Sequence, residues 1–260
     1  MSDAADYAEV PYLQEILDHL PVEPYDEEDV VNYIQNITDV IVINYKYDQY
    51  QIAYFGVHLL YMTYIYCTAW KISQIEPDRY KDAIVFARAY SGRENDLRIE
   101  EANSVFAYSL MPEKDIAKLF SIINLDKSQI SFVSYLVDTR NEMAHASGKF
   151  AILSEDDFDV KVNSVITSMR NIHRCLDPLI RRWYEQVLIT FCAGGYEGYD
   201  NPNDVISELM IQSFKLSMNE LLVCNKMSLR SIVTRHRDYK EKLKDFKKAM
   251  QMCCKERGYV

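Results

Sequence analysis

The stretch QYQIAYFGVHLLYMTYIYCTAW, Gln49 to Trp70, decides the fold, because it carries no formal charge over 22 residues. A helix of that length could cross a lipid bilayer. Its five tyrosines, two threonines and one histidine would place polar groups in the hydrocarbon, whereas at the edge of a protein core they can find hydrogen-bond partners. The stretch therefore predicts a buried bundle helix and no membrane contact, and a membrane-active helical protein stays an alternative.

Composition predicts an all-α fold. Of the 260 residues, 48% are apolar, and only seven glycines and seven prolines are present, while apolar residues recur at the spacings of three and four that are typical of helices. We therefore expect a helical bundle with additional helices and a long C-terminal helix. The six cysteines include no C-x-x-C pair and follow no secretory leader, so we expect a reducing cytoplasm, no disulfide framework and no zinc site.

Helix signals divide the chain into three parts. Asp126 and Gln129 in DKSQ, and Ser154 and Asp157 in SEDD, have the spacing of capping boxes, so helices are expected to begin there. The glycine-rich stretch CAGGYEGYDNPND, residues 192–204, then breaks the helical pattern. The expected parts are an acidic N-terminal segment at 1–26, a helical core at 27–192, and a helical extension with a basic C-terminal helix at 193–260.

Charge is distributed unevenly along the chain, whose formal net charge is −10. Residues 1–48 hold twelve acids and the single base Lys46, a balance of −11, whereas residues 226–260 hold eleven bases and four acids, a balance of +7. The acidic total argues against a general nucleic-acid coat. The asymmetry leaves three interpretations open: contact between the ends within one molecule or across a dimer, phosphate binding by the basic end, or solvated helix faces.

A heptad-like pattern predicts the long C-terminal helix. Apolar and aromatic positions follow one another at spacings of three and four from Leu229 to Cys253, and His236 is one of them. Arg230 and His236 also form an arginine-histidine pair, and the pattern assigns that pair to packing instead of chemistry. We expect this helix to pack against a partner helix, in the same chain or in a second subunit.

The strongest sign of chemistry is YLVDTRNEMAHASGKF, residues 135–150, near the end of another predicted helix. Asn141 and His145 are four residues apart and share one helix face, so Asn141 can orient the imidazole. Arg140 offers a permanently charged fork that suits a phosphate, and histidine exchanges a proton near neutral pH. These groups meet the needs of RNA cleavage, in which the ribose 2′-hydroxyl is the nucleophile and no metal or cofactor is required.

The segment RNEMAH, residues 140–145, resembles the R-N-x-x-x-H signature of HEPN domains, and it lies in a run of predicted helices as that family requires. The resemblance covers the core at the level of pattern only. It implies a HEPN-like helical bundle and a metal-independent endoribonuclease acting on single-stranded RNA. By the same resemblance, Arg140 would hold the scissile phosphate, Asn141 would support the active geometry, and His145 would be the acid or base.

The resemblance to HEPN domains also implies a biological setting. The family includes toxins of toxin-antitoxin pairs, abortive-infection proteins and RNA-targeting CRISPR nucleases, so a toxin or antiviral effector is expected. Two motifs commonly meet across a dimer, which implies a homodimer with a composite active site and an antitoxin or regulatory partner. Toxins paired with a nucleotidyltransferase antitoxin often have a tyrosine where this chain has Ser147, so the chain departs from that subgroup.

Two other interpretations of the motif remain open. At a surface helix end, Arg140 would pair with a nearby acid and the helix dipole would favour a charged His145. The chain would then be a catalytically inert helical interaction module. Glu142 and His145 form E-x-x-H, a spacing that di-iron bundles use twice and that occurs once in this sequence, so we expect no metal site.

Overall fold

This computed structural model describes residues 10–22, 30–88, 104–144 and 152–259, and most of them are helical. No sheet strand occurs within those ranges, which confirms the all-α prediction. The α-helices are α1 (Leu13–Asp18), α2 (Val30–Lys46), α3 (Tyr50–Ile75), α4 (Pro77–Arg88), α5 (Glu113–Ile116), α6 (Lys127–Ala144), α7 (Glu155–Cys192), α8 (Pro202–Asp204), α9 (Met218–Lys226), α10 (Arg230–Arg235) and α11 (Lys240–Glu256). Tighter 3₁₀ turns cover Val105–Leu110, Ala117–Ile123 and Arg237–Tyr239, and a π-helix covers Val205–Ser213.

The uncharged stretch forms most of α3, which packs between α2 and α7 in the middle of the bundle. Two of its tyrosines find hydrogen-bond partners on α7. The hydroxyls of Tyr61 and Ser168 lie 2.8 Å apart, and the Tyr64 hydroxyl donates to the Met169 carbonyl at 3.1 Å. The prediction of a buried bundle helix is therefore confirmed. Among the described helices, none has the length and apolar character needed to cross a membrane.

Both predicted capping boxes are present. The Asp126 carboxylate accepts the Gln129 backbone N–H at 2.9 Å, and the Gln129 side chain accepts the Asp126 N–H at 3.3 Å. Ser154 and Asp157 exchange the equivalent pair of bonds at the start of α7. These bonds satisfy backbone donors that have no partner inside a helix, so they fix where α6 and α7 begin.

The predicted C-terminal helix is present as α11, Lys240–Glu256, but it is shorter than the pattern from Leu229 to Cys253 predicts. The helical path breaks at His236, whose φ of −130° and ψ of 75° are not helical, and α10 and α11 lie on either side. The second half of the pattern holds, because Leu243, Phe246 and Met250 of α11 are buried. Spacings of three and four are satisfied equally well by two short helices that each bury one face, so the pattern alone could not locate the break.

The C-terminal helices pack on the same core as the rest of the chain. Lys71 of α3 and Glu220 of α9 form a buried ion pair at 2.5 Å. At the other end, the Val22 N–H donates to the Leu216 carbonyl at 3.3 Å, and the Tyr259 hydroxyl donates to the Asp18 carboxylate. The described parts of the two chain ends therefore meet within one molecule, while the division at residues 192 and 193 stays a prediction.

Candidate functional site

The predicted motif lies at the C-terminal end of α6. Arg140 and Asn141 belong to the last turns of this helix, and both are half-buried. Asn141 makes no side-chain hydrogen bond to another described residue. His145 directly follows the last described residue of α6, Ala144, and lies outside the described residues. The structure thus places two of the three predicted site residues next to each other.

Arg140 contacts an acid that the sequence did not single out. Its Nη2 atom donates to Oε2 of Glu113, the first residue of α5, and each of these side chains is 25% exposed. The same Glu113 oxygen lies 3.7 Å from Nε2 of His58, a distance too long for a hydrogen bond. His58 is 1% exposed, and neither of its ring nitrogens has a partner among the described residues. These three residues form the His58–Glu113–Arg140 cluster.

Three helices each contribute one side chain to the cluster. His58 lies in the buried middle of α3, Glu113 follows the turn at Pro112, and Arg140 lies near the end of α6. A second ion pair, between Lys114 and Asp138, joins α5 to α6 on the more exposed side. The orientation of α5 relative to α6 is therefore held by two charge pairs.

The electrostatics of the cluster favour one ionisation state. Burial lowers the pKa of His58, the nearby Glu113 opposes that shift, and the charge of Arg140 adds to it. Burial would raise the pKa of Glu113, but the contact with His58 and the charge of Arg140 outweigh burial and lower it. At neutral pH the cluster therefore holds a neutral imidazole, a carboxylate and a guanidinium.

Several N–H groups of the Arg140 guanidinium have no partner among the described residues. A guanidinium has five N–H groups, and the contact with Glu113 is the one hydrogen bond that Arg140 makes within the described part of the chain. Its Nε atom is buried and lacks a partner there. Buried donors are normally satisfied, so this side chain can donate to a further anionic partner alongside Glu113.

A cavity of about 350 Å³ adjoins Glu113. Its walls come from α2, α3 and the 3₁₀ turn Val105–Leu110, and three of its lining residues are aromatic, namely Tyr33, Tyr66 and Phe106. We call it the Glu113 cavity. Glu113 lines this cavity and also contacts Arg140. No set of three or more His, Cys, Asp or Glu side chains suited to holding a metal ion occurs within the described ranges.

Sequence reasoning missed the other two members of the His58–Glu113–Arg140 cluster. Glu113 is 27 residues from Arg140 in the chain, and the two meet only when α5 packs against α6. His58 lay inside the uncharged stretch and was read there as one polar group at a core edge. A charged arginine within a predicted amphipathic helix does call for an acidic neighbour, but nothing local identifies which acid supplies it.

Comparison with known proteins gave no relationship: no family model, no curated protein and no solved structure matches this chain.

Proposed function

We propose that this protein is a metal-independent endoribonuclease of the HEPN type that cleaves single-stranded RNA. Arg140 binds the scissile phosphate, Asn141 supports the geometry, and His145 transfers the proton. The ribose 2′-hydroxyl attacks the adjacent phosphorus, the 5′-oxygen leaves, and a 2′,3′-cyclic phosphate results. The resemblance of RNEMAH to the family signature and the all-helical fold support this assignment.

One observation carries the proposal furthest, namely the anchored position of Arg140. Glu113 holds the guanidinium at the end of α6, one residue before Asn141 and five before His145. A cation that is already oriented loses less conformational freedom when it binds a phosphate. The further donors of Arg140 that have no partner among the described residues give a phosphate oxygen a place to bind.

The same contact also favours a second candidate, an inert helical interaction module. Glu113 already balances the charge of Arg140, which is what a purely structural ion pair does. The two candidates differ in what a lysine at this position would do. Arg140→Lys keeps a charge for Glu113 but loses the planar fork that binds phosphate in two places.

The test is RNA cleavage by the purified protein with chelator present. Wild type is expected to leave cyclic-phosphate or 3′-phosphate ends, and His145→Ala to lower the rate by about 10²- to 10⁴-fold. Arg140→Ala and Arg140→Lys should lower it by about 10²-fold or more, and the lysine variant should keep the wild-type melting temperature.

Arg230→Ala and His236→Ala are the matched controls, because they remove the other arginine-histidine pair of the sequence, at the first residue of α10 and at the residue after its end. Their cleavage rates should equal that of wild type. Cleavage that survives both motif substitutions, or that depends on added metal, would move the assignment to the interaction module. As an effector of this type the protein would act in the cytoplasm as a toxin or antiviral factor, with an antitoxin or regulatory partner.

A further inference from the structure

The Glu113 cavity has a floor made from one face of α3. Leu59, Met62, Thr63 and Tyr66 recur at the spacings of three and four that bring side chains to one side of a helix. Leu59 is 41% exposed and marks the mouth, whereas the other three are buried. The volume of about 350 Å³ lies at the lower end of the roughly 300–1,000 Å³ range of ligand pockets, so a small flat group fits better than a large one.

The walls of the cavity are aromatic. Tyr33 of α2 and Phe106 of the 3₁₀ turn meet edge to face with ring centroids 5.1 Å apart. The ring of Tyr66 is backed by Tyr108 in a stacked contact at 6.4 Å, and the Tyr108 hydroxyl lies 2.8 Å from that of Tyr80. Aromatic side chains held in this way present surfaces on which an unpaired base can stack.

Among the described residues that line the cavity, Glu113 is the one that carries a charge. Both of its contacts within the described part of the chain use Oε2, through Arg140 and His58. Oε1 of Glu113 accepts no hydrogen bond from another side chain among the described residues. A carboxylate accepts and cannot donate when ionised, and the pKa of Glu113 is lowered by its neighbours, so a ligand must bring donors to this carboxylate.

Among the four bases of RNA, guanine matches this demand best. The Watson–Crick edge of guanine carries two adjacent N–H donors, whereas adenine and cytosine place a ring acceptor beside their amine. Uracil has one N–H between two carbonyls. A base acceptor that faces the carboxylate has no proton to share with it. The two groups repel each other, and the acceptor also loses its hydrogen bond with water.

We propose that the Glu113 cavity binds an unpaired guanine of the RNA strand. The base stacks among Tyr33, Tyr66 and Phe106 and donates to Oε1 of Glu113. Because Glu113 also holds Arg140, the guanine lies one side chain away from the phosphate-binding cation, which fixes the cleavage position close to a guanine. The role in cleavage rests on the proposed ribonuclease function.

Binding of free nucleotides tests the cavity without any need for cleavage. The probes are GMP, AMP, CMP and UMP, which share one phosphate, so differences among them report the base. GMP should bind most tightly to the wild-type chain in calorimetric titrations. Phe106→Leu should raise the Kd for GMP by at least about fivefold, which is the lower limit for the loss of a stacking partner. Glu113→Gln should remove the preference for GMP over AMP.

The matched control is Tyr47→Leu, which removes an aromatic ring that is 70% exposed and outside the cavity. Its GMP affinity should equal that of wild type. Equal affinities for the four nucleotides would overturn the inference. So would an unchanged GMP affinity in a Phe106→Leu variant whose melting temperature equals that of wild type.

Mapping of cleavage sites separates this inference from the proposed function. RNA cut near guanines by wild type, and at scattered positions by Phe106→Leu, supports both. RNA cut without base preference, together with no GMP selectivity, overturns the guanine cavity and leaves the assigned chemistry standing. GMP-selective binding with no cleavage of any RNA overturns the ribonuclease and leaves the cavity.

Discussion

Lys71 and Glu220 form an ion pair within the core, with Nζ and Oε2 2.5 Å apart and each residue 1% exposed. The Glu220 carboxylate also accepts the Ser217 N–H at 2.8 Å and so caps α9. Lys71→Met would leave that carboxylate buried without its cation, and removal of one partner of a buried pair costs about 3–5 kcal/mol. We expect this loss in the free energy of unfolding measured with urea.

Two further variants check that the loss comes from an uncompensated charge. Lys71→Met combined with Glu220→Gln should recover much of the stability, because no lone charge then remains in the core. Lys244→Met removes the cation of an exposed pair with Glu241 and should cost less than about 1 kcal/mol. Equal losses of unfolding free energy for Lys71→Met and Lys244→Met would show that the buried pair stabilises the fold no more than an exposed pair does.

His19 predicts how stability depends on pH. Burial and the neighbouring His173 lower the pKa of His19 to about 4, although Glu220 opposes the shift. Because this folded-state pKa lies below the value near 6.5 for an unfolded chain, the unfolded state takes up the proton first as the pH falls. Stability from His19 is therefore complete above pH 6.5 and declines towards about pH 4, by up to about 1.4 kcal/mol per pH unit.

His19→Phe removes this titration and keeps a ring in the edge contacts with Tyr64 and His173. The Nδ1 atom of His19 has no partner among the described residues, so the substitution loses no hydrogen bond at that atom. Urea unfolding at pH 7 and pH 5 should show a smaller loss of stability in the variant than in wild type. Parallel losses in both proteins would assign the acid sensitivity to other groups.

Single residues also mark the limit of prediction from the sequence. Arg140 and Asn141 were found because their chemistry and spacing are local to one helix. Glu113 and His58 were not, since they reach Arg140 only after α3, α5 and α6 have packed. A capping box is read from four neighbouring residues, whereas a long-range ion pair depends on the whole topology.

Helix α11 packs against the remainder of the same chain. Phe246 lies 5.3 Å from Phe191 and 6.1 Å from Tyr184 between ring centroids, and both partners are on α7. Leu243 on the same face is 1% exposed. Leu243→Asp should therefore lower the free energy of unfolding by about 3 kcal/mol or more, since it removes apolar packing and buries a charge.

Met252→Asp is the matched control, because Met252 lies on the opposite side of α11 and is 61% exposed. Its free energy of unfolding should stay within about 0.5 kcal/mol of wild type. Thermal and urea unfolding measure both variants. An unchanged stability for Leu243→Asp would contradict the burial of α11 in the core.

Helix identity was easier to predict than helix continuity. Capping boxes and the apolar stretch gave the starts of α6 and α7 and the burial of α3. The break at His236 has no local cause in the sequence, since neither proline nor glycine lies between residues 229 and 256. Helix α11 packs on α7 and α9, and tertiary contacts of this kind can override helix propensity.

At the scale of the molecule, the single motif in each chain predicts a shared active site. In a homodimer with composite sites, an excess of His145→Ala chains should inactivate wild-type chains by forming mixed dimers. At a ninefold excess, roughly one tenth of wild-type chains would remain in wild-type dimers if subunits pair at random. Cleavage rates after mixing and re-equilibration measure the effect.

An excess of His236→Ala chains is the control and should leave wild-type activity unchanged, because that residue stacks on Tyr239 and is not part of the motif. Light scattering gives the mass of the assembly in the same buffer. A monomer with full activity would remove the shared site and leave the chemistry assigned to the motif in place.

The contact between the two chain ends has a consequence for how the protein is made. Tyr259 and Asp18 are 241 positions apart, and ribosomes add about 5–20 residues per second. Helix α1 therefore leaves the ribosome roughly 12 to 48 s before Tyr259, one of its partners. Leu13 and Ile16 are fully buried in the finished protein. Throughout that interval they lack part of their final surroundings, so chaperones that recognise apolar segments have access to them.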